Sequence, residues 1–337
     1  MTDLTTTYMG LELRNPLVAS PSPLSRTFEG VKRLADGGVG AIVLYSLFEE
    51  QLRAQQAEIA ELLDEPAESF AEALDYVPEV IKEDPGPREY LSLLERSAAA
   101  LELPVIASLN GVTPAGWTGY AREMQDAGAA AIELNIYSLP GDPEIGGREV
   151  EQRHLDVLER VKKAVDIPVA VKLSPYFSST GEIALALDRA GADALVLFNR
   201  LLQPDIDPDG LVVVPRINLS RPADGRLPRT WIALLHGRVG ASLAATSGVE
   251  LATDVARYLL AGADVVMTTS ALLRHGPSYA TELLEGLFAW MDAKGFDSVD
   301  DFRGMLAVPA DTHGDEFERA GYVASMRAAN RGEYLRD

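Results

Sequence analysis

Cysteine is absent from the 337 residues, so the chain carries no disulfide, no thiolate zinc site, no cysteine-ligated iron–sulfur cluster and no cysteine nucleophile or acid/base. Positive charge is scarce. Thirty Lys and Arg stand against 51 Asp and Glu, a formal net charge of −21, the reverse of what a phosphate-backbone binder needs. Nucleic acid and anionic membrane surfaces are therefore poor partners. No stretch approaches the roughly 18 uninterrupted apolar residues of a membrane span, and the opening MTDLTTTYMGLELRN has no basic region leading into an apolar core. A soluble cytoplasmic protein is expected. His154, His236, His275 and His313 are dispersed without metal-ligand spacing, so each reads as a solvated or locally hydrogen-bonded residue and no metal site is expected. Trp117, Trp231 and Trp290 stand alone and read as helix-packing residues.

What is present is enough apolar material for a large core, with 47% of residues hydrophobic and 24% charged. The length fits two domains or one decorated α/β barrel. Four segments share one grammar, an amphipathic stretch, a corner of small residues and a short apolar run: VKRLADGGVGAIVLY, AREMQDAGAAAIELN, ALDRAGADALVLFN and ARYLLAGADVVMTT. Helical spacing gives way to glycine, where a left-handed cap costs little, and then to a strand-like run. LELPVIASLN and VDIPVAVKLS instead place proline, a helix stop, ahead of a buried strand. Candidate strands fall near residues 17–20, 40–45, 104–109, 130–136, 168–173, 194–198, 241–246 and 263–269. Eight nearly continuous apolar strands separated mostly by helices predict a parallel sheet covered on both faces, and eight is the number that closes a (β/α)8 TIM barrel. A doubly wound open sheet is the alternative, without a clear G-x-G-x-x-G after the first strand to support it.

Two gaps exceed a simple crossover. Residues 49–102 hold fifteen acids and four bases, a net −11, in helical runs such as EEQLRAQQAEIAELLDE. This acidic, mostly helical insertion reads either as a solvated face or as a lid or docking surface over the barrel mouth. Residues 199–230 form a loop rich in Pro, Asp and Arg that contains the strand-like LVVVP and follows the sixth strand. It belongs at the C-terminal face, where barrel enzymes work. The expected organisation is one barrel domain over residues 1–308 carrying both features, then a polar C-terminal extension, 309–337, whose final helix docks against the outside or a partner.

Residues at strand C-terminal ends point at a barrel's site. Here they are Ala19 and Ser20, Tyr45, Ser108 and Asn110, Asn135 with Tyr137 and Ser138, Lys172, Asn199, Thr246 to Gly248, and Thr269 with Ser270. Neutral donors dominate. The only nearby carboxylate is Glu133, which can face either way, so paired-acid glycoside hydrolysis is disfavoured. Lys172 closes the apolar run VAVKL, where an ammonium needs an anionic or electron-rich partner. That partner is a carboxylate in a structural salt bridge, a carbonyl attacked to form a Schiff base, or a flavin pyrimidine ring whose reduced anion the cation stabilises. The seventh and eighth strands end in Thr246-Ser247-Gly248 and Thr268-Thr269-Ser270, small residues and hydroxyls that let backbone N–H groups approach a phosphate. Taken singly, each tripeptide is also an ordinary helix N-cap.

In order and spacing, NPLVAS at residues 15–20, PVIASLNG, GAAAIELN, IPVAVKLSPYF, GADVVMTTSALLRHGP and AKGFDSVDDFRGML resemble the FMN-dependent dihydroorotate dehydrogenases of the soluble class and the related flavin domain of dihydropyrimidine dehydrogenases. The resemblance runs over most of the chain. It implies a barrel holding FMN across its C-terminal mouth, with Lys172 by the flavin ring, Asn135 facing ring and substrate, and Asn199 near both. It also implies Ala19, Ser20 and Asn110 along the isoalloxazine, and Ser247, Gly248, Thr269 and Ser270 at the phosphate.

The chain departs from that family where substrate is held. Tyr45-Ser46 stands in place of Lys-Ser, and Leu134, Asn135, Ile136, Tyr137, Ser138, Leu139, Pro140 in place of Leu-Asn-Leu-Ser-Cys-Pro-Asn. Ser138 falls at the position of the base, and the asparagine-rich substrate loop gives way to the acidic insertion. Losing directional donors reduces discrimination for dihydroorotate more than it loosens the cofactor. The resemblance thus implies an FMN-dependent oxidoreductase acting on CH–CH groups, moving hydride between flavin N5 and a small, dihydropyrimidine-like substrate, with Ser138, Lys172 and Asn135 catalytic. Two other classes stay open: a non-catalytic or electron-transfer flavin scaffold, and a barrel lyase forming a Schiff base on Lys172. Without cysteine for an internal relay, electrons pass to a separate acceptor or redox subunit. The resemblance further implies a homodimer and a place in pyrimidine metabolism.

Overall fold

A computed structural model describes residues 2–52, 86–111, 117–137, 140–200, 204–214, 217–312 and 314–333. A hairpin of β1 (Thr6–Tyr8) and β2 (Leu11–Leu13) comes first. Six strands follow: β3 (Leu17–Ala19), β4 (Ala41–Phe48), β5 (Val105–Gly111), β6 (Ala131–Ile136), β7 (Val169–Leu173) and β8 (Ala194–Leu197). An antiparallel pair, β9 (Asp205–Asp207) and β10 (Val212–Val214), interrupts them before β11 (Ser242–Thr246) and β12 (Val265–Thr268). β3 to β8 and β11 to β12 pair in parallel, and the β12–β3 and β8–β11 ladders close the ring. The fold is the eight-stranded barrel expected from the apolar runs, and its closure removes the open-sheet alternative.

The repeated grammar is visible at its corners. Gly38, Gly128, Gly191 and Gly262 take φ values of 90° to 111°, a left-handed conformation strained for other residues. In each case the next strand begins three residues later. Helix starts are equally local: Thr27 and Ser179 accept hydrogen bonds from Gly30 and Glu182, capping the helices Phe28–Asp36 and Thr180–Arg189.

Strand side chains alternate between two cores. Outward residues such as Leu17, Ile42, Leu109 and Leu134 pack beneath the helices. Inward, Ala41, Ala131, Ala170, Ala194 and Ala244 leave room along the axis that Tyr8 and Met9 of the first hairpin fill. Strands of three residues are too short to show a period, so the sequence does not announce this plug.

Of the acidic insertion, residues 53–85 lie outside the described residues, while Pro87–Ala100 forms a helix that buries Tyr90, Leu93 and Leu94. The long loop carries the β9–β10 hairpin, with Ile206, Leu211 and Val213 exposed at its surface. In the C-terminal extension a helix spans Gly314–Asn330, and its described side chains are mostly exposed. Trp117 is buried, and Trp290 packs on Phe296 and Phe302 at ring separations of 5.8 and 5.1 Å.

Candidate active site

Asn110, Asn135 and Lys172 sit side by side in register at the C-terminal ends of β5, β6 and β7, all three buried. Strand alternation explains their direction: the parity that turns Ala131 and Ala170 inward turns Glu133, Asn135 and Lys172 inward as well. Glu133 therefore faces the interior, and its Oε1 accepts a hydrogen bond from Lys172 Nζ at 3.2 Å with both side chains less than a tenth exposed. The carboxylate partner left open by the sequence is present. Asn199, just past β8, donates its side-chain amide to Asn135 Oδ1 at 2.7 Å, and its backbone N–H bonds to Leu173 of β7 at 2.7 Å. Asn135 thus spends its oxygen on Asn199, keeping Nδ2 as a donor, while Asn199 keeps Oδ1 as an acceptor.

Tyr45 does not face this group. A register shift between Val43 and Ser46 in β4 places the Tyr45 ring in the outer layer, edge-on to Tyr90 at 5.0 Å. Ser46 instead pairs with Ser108, Oγ to Oγ at 2.9 Å. Ser138 lies outside the described residues.

Beside Lys172 a cavity opens at the mouth, with about 500 Å³ of empty space including its open side. It brings together Ser20, Lys172, Asn199, Ser247, Thr269 and Ser270 from the sequence-derived set. Ser20 Oγ is buried without a hydrogen-bond partner. Ala19 turns its methyl outward into the layer under the helices, so only its backbone reaches the mouth. The turn after β11 is tightly wound. Ser247 and Gly248 have φ of 80° and 69°, and a Cβ on residue 248 would lie 2.5 Å from the Gly225 nitrogen. Tyr258 Oη donates to the Ser247 and Thr246 carbonyls at 2.6 and 3.1 Å, and burial pushes this phenol up, which keeps it a donor. On the β12 side, Thr269 Oγ1 donates to the Ser20 carbonyl at 3.1 Å, and Ser270 Oγ accepts from the Ser220 N–H at 2.9 Å.

The lining also includes residues outside the sequence candidates, among them Phe198, Arg200 and Ser220. Arg200 directly follows Asn199, a signal available in the strand-end string LFNR; its guanidinium donates to the Asn218 carbonyl at 2.6 Å. Ser220 comes from the long loop, where no period reveals orientation, and Arg274 holds its carbonyl at 2.7 Å.

The described histidines stay apart from this site. His154 is buried against Phe177 with Nδ1 on the Val150 carbonyl at 2.8 Å, and burial lowers its pKa. His236 bonds the Gly262 carbonyl and His275 bonds Glu250, while His313 lies outside the described residues. Among the described residues no group of three His, Asp or Glu side chains could hold a metal ion, and no helix is long and apolar enough to cross a membrane.

Residues 3–291 match the family model described as dihydroorotate dehydrogenase. The catalytic subunit of dihydroorotate dehydrogenase B (NAD(+)) from Methanothermobacter thermautotrophicus is 29% identical over 320 residues, covering 90% of this chain and 98% of that protein. The same subunit from Thermoplasma acidophilum is 27% identical over 310 residues, covering 90% and 99%. The NAD-dependent dihydropyrimidine dehydrogenase subunit PreA of Escherichia coli K12 is 25% identical over 345 residues, covering 92% of this chain and 79% of that protein.

Proposed function

The chain belongs to the dihydroorotate dehydrogenase family of oxidoreductases acting on CH–CH groups, and on that premise we propose that it binds FMN at the barrel mouth and acts on a small dihydropyrimidine-like substrate. The observation that carries this reading is the row of Asn135, Lys172 and Asn199. It sets a fixed cation beside one amide donor and one amide acceptor. A cyclic amide presents the complementary C=O and N–H, so the pair can read a dihydropyrimidine edge without the family's other asparagines.

Two features of the cavity fit the cofactor. Ser20 Oγ lacks a protein partner, and the tight turn after β11, packed at Gly248 against the Gly225 backbone, sets Ser247 at the cavity, where small residues leave backbone N–H groups open to a phosphate. FMN, when bound, supplies a hydride-accepting N5 atom. Lys172 then sets its charge against the pyrimidine edge of the ring, with Ser20, Asn110 and the Ala19 backbone alongside. Ser247, Gly248, Thr269 and Ser270 take the phosphate, with Ser220 supporting and Arg200 supplying a cation there. Ser138 exchanges a proton with the substrate carbon. Tyr45, turned toward Tyr90, does not replace the lysine of the family's Lys-Ser pair.

The same ion pair argues against a Schiff-base lyase, since an ammonium held by a buried carboxylate is a poor nucleophile. Electrons leave through a separate acceptor or redox subunit, in keeping with the subunit names of the relatives. A cytoplasmic homodimer completes the reading. Titrating the purified chain with FMN while following the flavin fluorescence tests it: saturation at one FMN per chain supports the site, and fluorescence unchanged by protein rejects it.

A further inference from the structure

Two buried polar atoms inside the barrel have complementary needs. Tyr8 Oη, at the axis, has no hydrogen-bond partner, and neither has Glu133 Oε2. A phenol has a proton to donate, whereas a carboxylate oxygen accepts. Both groups occupy one interior: Tyr8 belongs to the buried inner cluster that includes Ala131 and Ala170, and Glu133 stands two residues above Ala131 in register with Ala170. Burial, and behind it the charge of Glu133, pushes the Tyr8 phenol up. Asp264, the other carboxylate acting on Tyr8, has both oxygens engaged, Oδ2 by the Leu243 N–H at 2.7 Å and Oδ1 by Arg303 at 3.3 Å. Glu133 Oε2 is the acceptor left over. Tyr8 and Glu133 make no direct hydrogen bond, and interiors rarely leave such a pair unmet without a water between them.

We propose that one buried water bridges Tyr8 Oη and Glu133 Oε2, and that this chain makes Glu133 the positioning residue for Lys172. The proposal about Lys172 rests on the FMN reading above; the water does not. With Oε1 on Lys172 and Oε2 on the water, the carboxylate is fixed at both oxygens. It holds the ammonium at the cavity and offsets its charge from below. The first hairpin, which plugs the barrel axis, thereby helps set the electrostatics of the cofactor site.

A crystal structure of the full chain that orders internal water is expected to show this water in the wild type and to lose it in Tyr8→Phe. A dry gap in the wild type overturns the bridge. Glu133→Gln keeps shape while removing the offsetting charge. In the FMN-bound protein it is expected to raise the midpoint potential by about 30 mV, the two-electron equivalent of a tenfold greater preference for the reduced cofactor. A merely structural glutamate would leave that potential unchanged, and such a result overturns the positioning role. A chain that takes up no FMN contradicts the functional reading and with it the role of Lys172, while the crystallographic comparison still decides the water.

Discussion

The Asn199 side chain reaches Asn135 across the end of β7, amide nitrogen to amide oxygen, at 2.7 Å. This bond assigns the two asparagines opposite roles, one donor and one acceptor, at the level of Lys172. Asn199→Ala is therefore expected to raise KM for a dihydropyrimidine about three- to tenfold, the worth of one neutral hydrogen bond. FMN affinity should fall by less than KM rises. Steady-state kinetics beside a cofactor titration checks both.

Lys172→Met removes one partner of a buried ion pair and leaves Glu133 without compensation. The expected loss is about 3–5 kcal/mol of folding stability. Adding Glu133→Gln to that variant should recover much of it. Urea unfolding of the two single variants and the double variant supplies the cycle, and additive losses would contradict the pairing.

Gly248→Ala places a methyl at φ 69° and 2.5 Å from the Gly225 nitrogen. Backbone strain of about 1–3 kcal/mol is expected, with weaker FMN binding because the phosphate turn must shift. The change in Tm and the FMN Kd should move together.

His154 supplies a pH dependence of known sign. Its Nδ1 carries the proton donated to the Val150 carbonyl, and burial depresses its folded pKa below the ordinary 6.5. As pH falls, the unfolded chain takes up a proton first, so the stability contributed by neutral His154 is present above about 6.5 and lost as pH drops toward the lower folded value. His154→Gln should flatten this part of the stability profile, measured by denaturant unfolding between pH 5 and 8.

The eight barrel strands were legible because each is apolar on both faces and is preceded by a corner glycine or a proline. The same two-sided apolarity hid direction. AIELNI is buried throughout, so nothing in its pattern told that Glu133 and Asn135 share the inner face, or that Ala19 turns outward. Lys172 stood out because a charge ending an apolar run demands a partner, but the partner lay 39 residues away on β6. Ser220 and Arg200 belong to a loop that an internal Arg200–Asn218 bond folds and that tertiary hydrogen bonds to Ser270 and Arg274 bring to the mouth, which no local period encodes. The Tyr8 plug rests on two three-residue strands whose pairing is equally invisible to spacing.

Anaerobic addition of dihydrouracil or dihydroorotate to the FMN-loaded protein, followed by flavin absorbance, tests the central claim most directly. Bleaching by a dihydropyrimidine is the predicted result. A flavin that a chemical reductant bleaches but neither dihydropyrimidine does would contradict it.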